Sequence, residues 1–204
     1  MIISFQTISS SATAEYKEKG SKFIALAFPV SSEEEVKNRL AEVKKKYFDA
    51  RHHCYGYILG ADKSKFRAYD DGEPNHSAGD PILGQIRSKN LTNVLLVVVR
   101  YFGGTKLGVG GLVTAYKTAS EEALNQAEIV QHQITQTVVF EFTYDVTPAV
   151  MKLVKEFDLK IIAQEFNEMS VLKAEVLLSQ KDNLVERVRL LNVTGTVFAI
   201  TTLE

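Results

Sequence analysis

Two spacings of apolar residues alternate along this chain, one of period two and one of period three to four, and their order predicts the elements. Strand-like runs at 13–16 and 22–28 flank Glu18-Lys19-Gly20-Ser21 and read as a hairpin. Ser32-Glu33-Glu34-Glu35 then has the form of a capping box. It opens a helix with Val36, Leu40, Val43 and Tyr47 on one side, whose acidic first turn and Lys44-Lys45-Lys46 end both suit the helix dipole. Strands at 54–59 and 66–69 come next, joined by Gly60-Ala61-Asp62-Lys63-Ser64. Asp80-Pro81 reads as N-cap and first residue of a short helix carrying Ile82, Leu83 and Ile86. Six apolar residues in succession, 94–99, predict a strand covered on both faces. A long helix pattern then begins at Leu112 and continues through Ala115, Tyr116, Ala119 and Ala123. The order is ββαββαβα.

From residue 131 the grammar restarts. A strand at 137–142 precedes Thr147-Pro148, the expected cap and first residue of a helix bearing Val150, Leu153, Val154 and Phe157. Strands at 160–166 and 171–178 turn at Asn167-Glu168. Ser179-Gln180-Lys181-Asp182 caps a helix with Leu184, Val185, Val188 and Leu191, and 195–202 closes as a strand. This βαββαβ order is the ferredoxin-like one. The expected fold class is therefore α+β, with one domain over 1–130, a ferredoxin-like domain over 131–204, and residues 128–133 as the linker.

With 204 residues and 45% hydrophobic content, the chain can build one large or two small cores. No stretch approaches the roughly 20 apolar residues of a spanning helix. The start, Met1-Ile2-Ile3-Ser4-Phe5-Gln6, lacks the basic and apolar regions of a signal peptide, so a cytoplasmic location is expected. The single cysteine, Cys54, fits a reducing compartment. Net charge is −1, which excludes a strongly basic binder of polyanions. Residues 1–130 hold 17 Lys plus Arg against 15 Asp plus Glu, and 131–204 hold 7 against 10. The first domain is thus the better place for nucleic acid.

Candidate chemistry concentrates in two turns, the acidic Asp70-Asp71-Gly72-Glu73-Pro74 and the glycine-rich segment after Arg100-Tyr101-Phe102. Five glycines, Gly103, Gly104, Gly108, Gly110 and Gly111, are expected between strand and helix, where backbone amides and a helix N-terminus can meet an anion and Lys106 adds charge. The glycines can equally serve a tight turn and close packing. Neither the Gly-x-x-x-x-Gly-Lys-Ser/Thr loop nor a dinucleotide-binding fingerprint is present. Asp70, Asp71 and Glu73, with His76, suit a hard cation, but ordinary turn chemistry and an ion pair from one of them to Arg100 are favoured, and no metal or cofactor is expected. Arg51-His52-His53-Cys54 has the wrong spacing for zinc on a strand, because neighbours point to opposite faces. Cys54 reads as core filler, and no catalytic residue is assigned. Arg100 and Tyr101 are expected at an exposed strand end, forming with Lys106 and the glycine loop a surface for RNA.

The strings Arg51-His52-His53-Cys54, Asp71-Gly72-Glu73-Pro74, Ser77-Ala78-Gly79-x-Pro81, 97–104 and 107–116 together resemble the IMPACT family, in its bacterial YigZ branch. The resemblance implies a first domain like the second domain of ribosomal protein S-five, followed by a ferredoxin-like domain, a pair similar to the last two domains of elongation factor G. Eukaryotic members restrain a starvation-responsive kinase by competing for its ribosome-bound activator. The partner-binding domain that precedes this module in those members is expected to be missing here. His53 stands where the family usually has Asn, and Thr114 where Arg or Lys is common. The resemblance thus leads to the expectation of a non-catalytic protein that binds the ribosome or RNA and regulates translation. Two alternatives stand beside it: an enzyme acting on a phosphorylated small molecule, and a regulator with a protein partner in translation control.

Overall fold

Alternation in the first part of the sequence becomes a five-stranded antiparallel sheet in the computed structural model, which describes all residues except Thr194, Val197 and Glu204. The chain divides into two compact units, Ser4–His132, and Met1–Ile3 with Gln133–Glu204. In chain order the first comprises β1 (Ser4–Ile8), β2 (Ala12–Glu18), β3 (Ser21–Pro29), α1 (Glu33–Lys46), β4 (His52–Leu59), β5 (Lys65–Tyr69), α2 (Gly79–Ser88), β6 (Val94–Tyr101), α3 (Gly108–Gln126) and β7 (Ile129–Gln133).

The main sheet has the order β2-β3-β6-β4-β5. Strand β6 lies at its centre, which is why its sequence is an unbroken apolar run: Val94, Leu96 and Val98 meet one core, which includes Ile82, Ile86, Leu112, Ala115 and Tyr116, while Leu95, Val97 and Val99 meet the other, with Val36 and Val43 of α1. Strict alternation then sends Arg100 to the α2/α3 side and Tyr101 to the α1 side.

Several boundaries differ from the sequence reading. Helix α3 begins at Gly108, not Leu112, so Gly108, Gly110 and Gly111 belong to its first turn and only Gly103 and Gly104 precede it. Helix α2 begins at Gly79, and Asp80 is not its cap. Capping comes from a distance: Asp70 Oδ1 accepts from the amides of Ala78 (3.0 Å) and Gly79 (2.8 Å), and its Oδ2 accepts from that of His76 (2.9 Å). The expected linker is instead largely β7, paired with β1, a strand the apolar spacing did not reveal.

The second unit holds β8 (Thr135–Phe142), α4 (Thr147–Glu156), β9 (Lys160–Glu165), β10 (Ser170–Leu177), α5 (Lys181–Val193) and β11 (Ala199–Leu203). Its antiparallel order β11-β8-β10-β9 is that of the ferredoxin-like fold. Val138, Phe140, Leu153, Leu172, Val176, Leu184 and Val188 fill its core. Thr147 is not a cap; its hydroxyl donates to the carbonyl of Tyr144 in a preceding 3₁₀ turn. The last strand starts at Ala199, later than expected, because Gly195 (φ +95°) and Thr196 close the end of α5 through bonds to Asn192 and Leu191. Val197, within the expected strand, lies outside the described residues.

Candidate functional site

The acidic turn and the end of β6 meet beneath the start of α3. Arg100 Nη1 lies 2.7 Å from Glu73 Oε1, and Tyr116 donates its hydroxyl to the same oxygen at 2.8 Å. Cys54 Sγ sits 3.0 Å from the Asp70 carbonyl and 3.3 Å from the Tyr116 hydroxyl. The Arg100 guanidinium is held between two rings, 5.6 Å from Phe23 and 5.7 Å from Phe102. A carboxylate and a guanidinium on side chains this deeply buried, 4% and 8% exposed, are retained only because each completes the other.

Arg100 therefore does not stand at an exposed strand end. It is a buried ion-pair partner, as the strand's need for a counter-charge implied, and Glu73 is the carboxylate that serves it. Tyr101 is not beside it either. On the opposite face, Tyr101 donates to Asp49 Oδ1 at 2.7 Å, a bond that holds its phenol up at about 12. The other two acids have backbone tasks. Asp70 caps α2, and Asp71 accepts from the amide of His53 at 2.7 Å, with its carbonyl 2.9 Å from His52 Nδ1. Among the described residues no group of three or more His, Cys, Asp or Glu is placed to hold a metal ion.

The glycines divide by function. A Cβ on Gly103 would stand 1.8 Å from the carbonyl carbon of Gly20, so that position serves close backbone packing against the β2–β3 turn. Gly103 also donates its amide to Ser21 Oγ at 3.2 Å. Gly104 and Gly108 have positive φ, and a Cβ on Gly104, Gly108 or Gly110 would meet nothing within 4 Å. Those three face open space. Helix α3 has no side-chain cap and no acid in its first turn, and Lys106, exposed beside it, forms no ion pair among the described residues. Between these parts lies an open cavity of about 270 Å³, bordered by Glu73, Arg100, Phe102, Lys106, Gly108 and Val109.

Sequence reasoning missed Tyr116 and Cys54 as members of the buried cluster. Tyr116 carried a signal, being the one large polar-tipped residue on a helix face that otherwise holds Leu112, Ala115, Ala119 and Ala123. Burial pushes both the Cys54 thiol and the Tyr116 phenol well up. Cys54 is thus a protonated, shielded thiol. A disulfide reagent such as 5,5′-dithiobis(2-nitrobenzoate) is expected to leave the folded protein unlabelled and to titrate one thiol in denaturant; rapid labelling of the folded chain contradicts this burial.

Fold and site together define a two-domain α+β protein whose first domain presents an uncapped, glycine-rich helix start over a buried Arg–Glu–Tyr cluster. The model of the Impact N-terminal domain matches residues 19–124. The chain is 32% identical over 157 residues to the IMPACT family member YigZ of Escherichia coli K12, covering 76% of this chain and 77% of that one. It is 36% identical over 134 residues to the IMPACT family member YvyE of Bacillus subtilis 168; this match takes in 66% of the chain and 62% of the relative's length. A crystal structure described as that of a hypothetical protein superposes with a TM-score of 0.73 at 27% identity, over 100% of this chain and 99% of the other. The chain belongs to the IMPACT family.

Proposed function

We propose that this protein is a non-catalytic binder of RNA on the ribosome and that it regulates translation through that contact. The observation that carries the reading is the start of α3: an exposed lysine without an ion-pair partner among the described residues, first-turn amides without a side-chain cap, and Phe102 at 56% exposure beside them. Lysine and amides suit a phosphate, and an exposed ring suits an unpaired base. Arg100 supports this surface from beneath by holding Phe102, and Tyr101, on the other face, has no part in it. Membership of the IMPACT family supports a regulatory role. No helix among the described residues is long and apolar enough to cross a membrane.

A protein with net charge −1 that makes few phosphate contacts binds weakly and loses affinity as salt rises. Cosedimentation with purified ribosomes at low salt is the test. Binding should fall with salt, and Lys106→Ala should weaken it and lower the logarithmic salt slope by about 1. Failure of the folded protein to sediment with ribosomes at low salt overturns the reading.

A further inference from the structure

The cavity beside α3 has three features that a helix start alone lacks. The first is Arg100. Its side chain is 8% exposed and borders the cavity, yet Glu73 engages only Nη1, and the buried Nε has no hydrogen-bond partner among the described residues. Buried guanidinium donors are ordinarily all satisfied, so a residue that borders the cavity keeps one donor without an acceptor. The second is charge. Arg100 and Lys106 face a single carboxylate, Glu73, which also accepts from Tyr116, so the lining keeps an excess positive charge. The third is the apolar wall, made by Pro74, Phe102, Val109 and Leu112.

We infer that this cavity is a binding site for a nucleoside monophosphate unit, with the phosphate at Lys106 and the amides of Gly108 and Val109, and the base on Phe102. Size and composition select this class. About 270 Å³ is small for a ligand site and accommodates one nucleotide unit rather than a peptide or a duplex. Inorganic phosphate would leave the apolar wall bare, and an uncharged aromatic compound would leave Lys106 and the uncapped amides unused. The α3 start can approach a phosphate closely because Gly108 carries no side chain and nothing else occupies the space where one would stand.

This inference deepens the RNA reading, because a free mononucleotide and the 5′-phosphorylated end of an RNA strand present the same unit. Both sources are tested on the full chain by following the amide resonances of Gly108, Val109 and Leu112 during titration. Adenosine 5′-monophosphate should shift these amides saturably and bind about tenfold tighter than inorganic phosphate. Lys106→Ala should weaken both by about tenfold. Phe102→Leu, a conservative change at a position 56% exposed, should remove the nucleotide's advantage and leave phosphate binding and the melting temperature nearly unchanged. A tetranucleotide carrying a 5′-phosphate that outbinds its 5′-hydroxyl form tenfold identifies the RNA end as the source; equal weak binding of the two, with the mononucleotide bound, identifies the free nucleotide.

Unmoved amides at millimolar nucleotide, or a nucleotide that binds no better than phosphate, overturn the site. Ribosome binding that persists while these amides ignore the nucleotide refutes the site alone. Nucleotide binding without ribosome binding refutes the RNA reading alone.

Discussion

Glu73→Ala is expected to destabilise the first domain by about 3–5 kcal/mol, the cost of leaving one member of a buried ion pair uncompensated. Glu73 Oε1 receives both Arg100 Nη1 and the Tyr116 hydroxyl, with side-chain exposures of 4% for Glu73 and 8% for Arg100. Its removal strands a cation and a phenol whose surroundings are largely closed to water. Against the roughly 5–15 kcal/mol that holds a typical domain together, that is a fifth or more of the total. Tyr116→Phe removes one hydrogen bond to a charged acceptor and should cost less, about 1.5–3 kcal/mol. The double variant Glu73→Leu with Arg100→Met should recover much of the loss, since an apolar pair needs no counter-charge. Urea unfolding of the four proteins decides the matter. A loss below about 1 kcal/mol for Glu73→Ala would mean that the pair is solvated and that the cluster does not organise the site.

Gly103→Ala is expected to cost more than about 3 kcal/mol, the largest penalty in the glycine loop, because the added methyl group meets backbone and not a movable side chain. Its Cβ would stand 1.8 Å from the Gly20 carbonyl carbon and 2.1 Å from both the Gly20 oxygen and the Ser21 nitrogen. Gly20 itself turns the β2–β3 hairpin at φ +80° and cannot readily move away. Gly104→Ala is a milder change, since its Cβ is unobstructed and only φ +87° opposes it, at about 1–2 kcal/mol. Gly110→Ala has open space and helical surroundings and should be neutral or gain about 0.5–1 kcal/mol. Thermal melts of the three variants should fall in that order. Equal losses would show that the loop acts as one flexible unit, without the backbone contact between Gly103 and Gly20.

The parts of the fold legible in the sequence were local, and those that escaped it were set by partners far along the chain. The hairpin β2–β3, the paired strands β4–β5 and the ferredoxin-like second domain arise from apolar spacing and turn residues, which act within a few positions. Strands β1 and β7 pair with each other across about 120 residues, and neither has an apolar rhythm of its own to announce it. The start of α3 escaped because Gly108, Gly110 and Gly111 carry no side chains for a periodicity to mark. Asp80 resembled a cap more than Asp70 did, since nothing in the spacing shows that the acidic turn folds back onto the amides of Ala78 and Gly79. The need of Arg100 for a carboxylate was legible from burial. Its separation from Tyr101 was legible too, from strand alternation, which puts the two on opposite faces and removes Tyr101 from the proposed RNA surface.

Hydrogen exchange of the protein bound to ribosomes, compared with the free protein, bears most directly on the proposal that the α3 start is the contact. Amides there have no side-chain cap, so a phosphate docked on them must slow their exchange. The expected result is protection over residues 102–111 that disappears in Lys106→Ala and at raised salt. Protection confined to other elements, with 102–111 exchanging as in the free protein, contradicts it.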